Sequence, residues 1–147
     1  MFRRLLCPLD GSPLSTRALR RAVALAADSG AELVGFHAAP DYHPVAYEDL
    51  VARGVISPAR FAAATDRKAA RILAPVTRAC AAAGVKCRVR HVVHDHPWQA
   101  IIAAARRERC DLIVMASHGR RGLAGLLLGS ETSRVLTHSR IPVLVVR

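Results

Sequence analysis

The chain is poor in aromatic residues, which make up 4% of its 147 positions, while hydrophobic residues as a whole make up 52%. A core without large rings must be built from Val, Leu, Ile and Ala, and this favours helices packed tightly on a sheet. No apolar run reaches the roughly 20 residues that cross a bilayer. No apolar stretch of about 7–15 residues accompanies the basic start. We therefore expect a cytoplasmic protein with no membrane partner.

Lysine is scarce and paired cysteines are absent. The four cysteines show no C-x-x-C spacing, so in a reducing compartment we interpret them as small buried hydrophobic residues. Arginine accounts for 20 of the 22 basic residues, and the net charge is +11. These arginines are scattered along every predicted helix and form no single tract. The scatter argues against a nucleic-acid partner.

Strand and helix patterns alternate along the chain. Four short apolar segments predict strands, at residues 4–9, 32–38, 111–116 and 142–147. Residues 86–93 predict a further strand, the third along the chain, in which more polar residues alternate as at a sheet edge. Helical spacing connects them, in stretches that begin near Pro13, Ala59, Pro97 and Glu131. Strands separated by helices require right-handed crossovers and a parallel sheet covered on both faces. We predict one three-layer α/β domain over residues 1–147, with a five-stranded parallel sheet.

The last predicted strand, 142–147, is among the most apolar segments, yet it ends the sequence. A terminal strand usually lies at a sheet edge, and an apolar edge invites pairing with a second copy. We expect a two-fold dimer through this strand. An ordinary internal strand is the alternative.

The predicted winding places a ligand crevice between strands one and four. Ligands of doubly wound sheets bind beyond the carboxyl ends of the strands, where the strand order reverses. Strands one and four end at Asp10 and Ala116. The turn Asp10-Gly11-Ser12 and the segment 116-ASHGRRGLAGLLLGS-130 should therefore meet, although about a hundred residues separate them.

Segment 116–130 has features that suit a phosphate group. Gly119 allows the backbone to approach a ligand, and Gly129-Ser130 at the start of a helix offers N–H groups, a hydroxyl and the positive end of the helix dipole. The alternative is that Gly119, Gly122 and Gly125 only make turns and that Ser130 only caps the helix. The residues alone leave both interpretations open.

Catalytic and metal-binding patterns are weak. His118 could act as a general base, but no acid near it in the sequence would orient it, and the loop lacks the G-K-[ST] ending of a P-loop. The run 91-HVVHDH-96 resembles a metal cluster. If 86–93 is a strand, His91 and His94 point to opposite faces, so we expect no metal there.

Nearly the whole chain resembles the universal stress protein family. The resemblance is carried by CPLDGSPLSTRAL, by the strand ending in His37, and above all by MASHGRRGLAGLLLGSETSRVLTHSRIPVLVV. Nucleotide-binding members of that family carry G-x2-G-x9-G-[ST]. Here Gly119 is the second glycine, nine residues follow it, and Gly129-Ser130 complete the pattern. Ala116 replaces the first glycine.

The resemblance implies a Rossmann-like α/β fold, similar to the adenine nucleotide alpha hydrolases, with strand order 3-2-1-4-5. It also implies a homodimer joined through the last strand, and ATP, with or without Mg²⁺, in the crevice between strands one and four. Asp10 would lie near the adenine or ribose, and either Leu33 or Val34 against the adenine ring. The remaining implied nucleotide contacts are Pro8, Met115, Ala116, Gly119, Gly129, Ser130, Glu131 and Thr132.

The departure at Ala116 leaves the strength of ATP binding open. A methyl group costs little where the backbone is extended, but it is unfavourable where φ must be positive. Arg120 and Arg121 are either donors to phosphate or exposed arginines of a solvated loop. Two alternatives to an ATP-binding regulatory protein therefore stand: a nucleotide-independent stress or interaction module, and an enzyme that hydrolyses ATP slowly.

Overall fold

Five strands form the middle layer of the protein. The computed structural model describes residues 1–41, 50, 52–54, 57–118 and 128–147. The strands are β1 (Arg4–Pro8), β2 (Glu32–Ala39), β3 (Cys87–Val93), β4 (Leu112–Ala116) and β5 (Val143–Val146). Every residue of β4 is buried, whereas β3 alternates between half-buried and exposed positions over most of its length. This contrast is typical of a central strand and an edge strand.

Four helices in the described residues cover the sheet: α1 (Pro13–Ser29), α2 (Pro58–Ala82), α3 (Pro97–Arg107) and α4 (Ser130–His138). Local signals set their ends as the sequence predicts. The Ser12 hydroxyl accepts the Ser15 N–H at 3.1 Å and caps α1. Gly30 ends α1 at φ 66°, a left-handed conformation that favours glycine. No helix in the described ranges is long and apolar enough to cross a bilayer.

The strand order is β3-β2-β1-β4-β5, and all four pairings are parallel. This confirms the expected order 3-2-1-4-5. The chain winds outward from β1 through β2 to β3 and then returns to place β4 on the other side of β1, so the order reverses between β1 and β4. β5 lies at the edge beside β4. The alternative of an internal last strand is wrong.

The sheet separates two hydrophobic cores. Leu5, Cys7 and Leu33 belong to the core under α1 and α2. Leu6 and Val34 belong to the opposite core, under α3 and α4. Neighbouring residues of a strand point to opposite faces, which explains this division. Both faces of the central strands are covered, as a parallel sheet requires.

The predicted boundaries differ from the observed ones by one residue in most elements, because helix and strand ends depend on tertiary contacts. Helical spacing predicts Ala83 on the core side of α2 with Ile72, Val76 and Cys80, and this prediction is wrong because Ala83 is exposed. The helix ends at Ala82, and Ala83 is its C-cap, so the helical spacing no longer applies there.

Candidate functional site

The carboxyl edge of the sheet brings together the ends of β1 and β4. These strands pair with Leu6 level with Ile113. The two strands run in the same direction, so the Asp10 turn after β1 and Ser117 after β4 leave the sheet at the same edge. The carbonyl of Ser117 accepts the Gly129 N–H at 2.8 Å. The Asp10 turn and the start of α4 therefore share one edge, as the winding predicts.

The first turn of α4 presents backbone N–H groups at this edge. A helix has no internal acceptor for its first N–H groups, and Gly129, the N-cap, has no side chain with which to cap them. The Gly129 N–H is bonded to Ser117. The N–H groups of Ser130, Glu131 and Thr132 have no acceptor within the described part of the chain. With the helix dipole, these three donors favour an anion.

The carboxylate of Glu131 forms a hydrogen bond with a neighbouring helix. Its Oε2 accepts the Trp98 N–H at 2.8 Å, in the first turn of α3, where His96 provides no side-chain cap. Its Oε1 lies 3.6 Å from the Arg134 guanidinium. Glu131 can therefore offer an anion its backbone N–H, while its negative charge is neutralised by α3 and Arg134.

Thr132 fastens the start of α4 to the end of β4. Its hydroxyl donates to the Ala116 carbonyl at 2.9 Å, and its side chain is buried. Ala116 itself is the last residue of β4 and pairs with Val146. Its backbone is extended, so the methyl group that replaces the motif glycine causes no conformational strain.

The opposite side of the crevice is a tight turn after β1. Pro8 ends the strand, and the Asp10 carboxylate accepts the Ser12 N–H at 2.9 Å. Gly11 adopts φ 81°, which favours glycine over any other residue. The turn thus holds the Asp10 side chain at the carboxyl edge and leads directly into α1.

The end of β2 supplies residues that the sequence analysis missed. His37 is buried, and its Nδ1 donates to the Leu9 carbonyl at 2.7 Å. Burial lowers the pKa of His37, an effect that this hydrogen bond partly opposes. The neutral ring thus fastens β2 to the start of the turn. The strand extends to Ala39, one residue beyond its predicted end, so Ala38 and Ala39 lie at the carboxyl edge.

Leu33 and Val34 do not lie at this edge, which corrects their expected place against an adenine ring. They are level with Leu5 and Leu6 near the start of β2, and both are 0% exposed. At about 3.3 Å per residue, they are roughly 17–20 Å short of Ala39. Each fills one hydrophobic core instead.

His118 directly follows the buried end of β4. Its Nδ1 lies 3.1 Å from the Ser117 hydroxyl, and its buried Nε2 has no hydrogen-bond partner in the described residues. Gly119, Gly122, Gly125, Arg120 and Arg121 lie outside the described residues, so their expected contacts stay predictions.

The histidine run after β3 makes local contacts. His91 pairs with Asp66 of α2 at 3.1 Å, and the His96 N–H donates to His94 Nδ1 at 3.0 Å. The described ranges contain no group of three His, Cys, Asp or Glu side chains arranged to hold a metal ion. The structure thus assigns this run to contacts with α2 and to the entry of α3.

These features define the class of protein. It is a doubly wound α/β protein in which a helix N-terminus at the switch point can bind an anion. The sequence pattern of the Universal stress protein family matches residues 1–147. A universal stress protein of Thermus aquaticus, named for its position in a QAH/OAS sulfhydrylase 3′ region, is 34% identical over the full length of both chains. The chain belongs to the universal stress protein family.

Solved structures agree with this membership. Protein MJ0577 of Methanocaldococcus jannaschii superimposes with a TM-score of 0.83 at 26% identity, covering 99% of this chain and 96% of that protein. A universal stress protein in complex with cAMP superimposes with a TM-score of 0.67 at 28% identity, covering 99% and 97%. The whole chain thus has the fold of this family.

Proposed function

We propose that the chain is a cytoplasmic regulatory protein of the stress response that binds ATP in the crevice between β1 and β4. The observation that carries this proposal is the first turn of α4, where three backbone N–H groups at the switch point have no described acceptor. A related structure contains cAMP, so a member of the family accommodates an adenine nucleotide.

The ligand would lie across the two sides of the crevice. Its phosphates meet the N–H groups of Ser130, Glu131 and Thr132, and its ribose or base lies toward Pro8, Asp10 and the end of β2. Met115 and Ala116 form the floor, since they end the strand between these two sides and are 5% and 8% exposed. Magnesium would enter as the counter-ion of the triphosphate.

Backbone donors distinguish this site from a catalytic one. They position a phosphate without supplying a proton acceptor, and the imidazole of His118 is bonded through Nδ1 to a hydroxyl and not to a carboxylate. We therefore propose binding and release of ATP as the activity, with hydrolysis slow at most. The four cysteines are free thiols, which fits the reducing cytoplasm.

The test introduces a negative charge at the proposed phosphate position. Ser130 is an exposed residue of the first turn of α4, where Asp is favourable for the helix, so Ser130→Asp should fold normally. Saturating Mg-ATP, at about a hundred times its dissociation constant, should stabilise the wild type by about 2.7 kcal/mol and the variant by less than about 1 kcal/mol. Thermal unfolding with and without Mg-ATP measures both values.

Ser57→Asp is the matched control. It makes the same change at the start of α2, where the Ser57 side chain accepts the Arg60 N–H and Asp can do the same. This variant should keep the full stabilisation by Mg-ATP. No stabilisation of the wild type at millimolar Mg-ATP would favour the nucleotide-independent alternative, and equal losses in both variants would contradict the assigned site.

A homodimer through β5 completes the proposal. β5 is an edge strand of four apolar residues, and Leu144 at its middle is 42% exposed. An apolar edge of this kind is a template for pairing with a second copy. Sedimentation should show a dimer that Leu144→Lys weakens. The same change at Leu136 of α4, which is 40% exposed, is the control.

A further inference from the structure

The fold concentrates positive charge on one side of the sheet. α1 and α2 pack on the same face, since Leu19 and Val23 of α1 share a hydrophobic core with Leu73 and Val76 of α2. Together these two helices carry eight Arg and Lys residues and two carboxylates. The helices of the opposite face, α3 and α4, carry three Arg residues and one carboxylate. Seven of the 20 arginines therefore lie on the two helices that cover one face of the sheet.

Four arginines of α2 form a row along one side of the helix, and Pro75 lies within the helix between the third and the fourth. Arg67, Arg71 and Arg78 lie 7, 11 and 18 residues after Arg60. At 100° per residue, these three side chains leave the helix within about 20° of the direction of Arg60. All four side chains are exposed, and the buried residues of α2 lie on its opposite side. The row is about 27 Å long at 1.5 Å per residue.

α1 adds a second group beside this row. Arg17, Arg20 and Arg21 have the i, i+3, i+4 spacing of neighbours on one helix side, and all three are exposed. We call the exposed side of α1 and α2 the arginine face, defined by Arg17, Arg20, Arg21, Arg67, Arg71 and Arg78. Arg60 donates to the Gly54 carbonyl at 3.4 Å and extends this face at one end.

Carboxylates pair with arginines on other parts of the molecule. Glu32 pairs with Arg4 at 2.9 Å and with Arg88 at 3.1 Å, and Glu108 lies 3.3 Å from Arg90. In the described part of the chain, no carboxylate pairs with an arginine of the arginine face. Of the two acids on these helices, Asp66 is bonded to His91 at the β3 side. The other acid, Asp28, is exposed on α1. A surface on which six arginines face one carboxylate is suited to a partner that carries many negative charges.

We propose that the arginine face binds double-stranded nucleic acid through its phosphates, independently of base sequence. Guanidinium groups match phosphate oxygens with two parallel hydrogen bonds, and a duplex presents one charge per about 1.7 Å. The single aromatic side chain of α1 and α2, which the structure describes in full, is the half-buried Phe61, and this lack of exposed rings to stack on bases disfavours a single strand. The two helices expose no large apolar side chain to insert into lipid, which disfavours a membrane.

The test measures binding of a fluorescent duplex of about 20 base pairs and mixed sequence to the full-length protein by anisotropy. With about four phosphates neutralised, the logarithm of the affinity should fall against that of the salt concentration with a slope of about −3.6. Arg67→Gln, Arg71→Gln and Arg78→Gln together should weaken binding at least tenfold and reduce the slope to about −1, since each removed contact accounts for about 0.9. Gln retains helix propensity, so the variant should fold.

The control is a triple variant with the same change of charge away from the face: Arg106→Gln, Arg107→Gln and Arg140→Gln, all at exposed positions. If the position of the arginines determines duplex binding, this variant should have an affinity within about twofold of that of the wild type. Equal losses of duplex affinity in the two triple variants would show that binding depends on net charge alone, and this result would overturn the proposal. So would absence of duplex binding near 100 mM salt, or stronger binding to vesicles of equal parts phosphatidylglycerol and phosphatidylcholine at matched phosphate concentration.

Discussion

The contact between Gly35 of β2 and Val76 of α2 is close enough to predict the effect of a single methyl group. A Cβ atom at Gly35 would lie 2.7 and 2.9 Å from the two methyl carbons of Val76 and 3.2 Å from its Cβ. Val is stiff at χ1, and Val76 is fully buried, so it cannot turn away. Gly35→Ala should therefore force α2 off the sheet by a few tenths of an ångström.

Overpacking of this kind costs about 1–3 kcal/mol, and the lower backbone entropy of unfolded Ala offsets roughly 0.5 kcal/mol of it. We expect a net loss of about 1.5 kcal/mol in the free energy of unfolding. For a chain of this length, that loss lowers Tm by about 3–6 °C. Thermal unfolding followed by circular dichroism measures the change.

A double-mutant cycle separates the clash from other effects of the substitution. Val76→Ala alone should cost about 2–3 kcal/mol because it leaves a cavity. In the double variant the new methyl group occupies part of that cavity, so the total loss should be about 1–2 kcal/mol smaller than the sum of the single losses. A neutral Gly35→Ala, or two strictly additive losses, would refute the reasoning.

Three other predictions concern the site, the pH dependence and the thiols. Thr132→Val should lower the free energy of unfolding by about 1–2 kcal/mol because the Ala116 carbonyl loses its donor, whereas Thr132→Ser should lose less; urea unfolding measures both. Desolvation raises the pKa of Asp111, but the N–H groups of Arg4 and Arg3 outweigh it and hold the pKa below its ordinary value. The stabilisation that the Asp111 carboxylate contributes should therefore be fully present above about pH 5. It should be lost as the pH falls through the pKa of Asp111 in the unfolded chain and then through its lower pKa in the folded protein. The urea midpoints at pH 7 and pH 3 should differ less in Asp111→Asn than in the wild type. Iodoacetamide should modify the native protein first at Cys87, which is half-buried. Burial raises the pKa to about 12 for the thiols of Cys7, Cys80 and Cys110, so these three should react more slowly. Mass spectrometry can identify the first modified residue, and first modification at Cys7 would contradict this prediction.

Local signals in the sequence predict most of the fold. Alternating apolar segments locate the strands, Ser12 and Gly30 bound α1, and the handedness of crossovers restricts the winding. The convergence of the Asp10 turn with the α4 start follows from the same rules, because a switch point lies beyond the carboxyl ends of the two strands that flank it.

Features that depend on contacts between distant elements could not be predicted in this way. The bond between Glu131 and the Trp98 N–H joins two helices across 33 positions, and nothing near Glu131 in the sequence indicates it. The depth of Leu33 and Val34 depends on how far β2 extends, which their own apolar character does not reveal. The arginine face arises only because α1 and α2 share one side of the sheet.

We propose that the backbone of the first turn of α4 holds the phosphate of the nucleotide. Two-dimensional amide NMR spectra recorded while Mg-ATP is added can show this contact, since each N–H reports its own environment. We expect the largest shifts at Ser130, Glu131 and Thr132, smaller shifts at Asp10–Ser12, and none at Ser57–Arg60. Unchanged amides at the start of α4 in the presence of saturating Mg-ATP would contradict it.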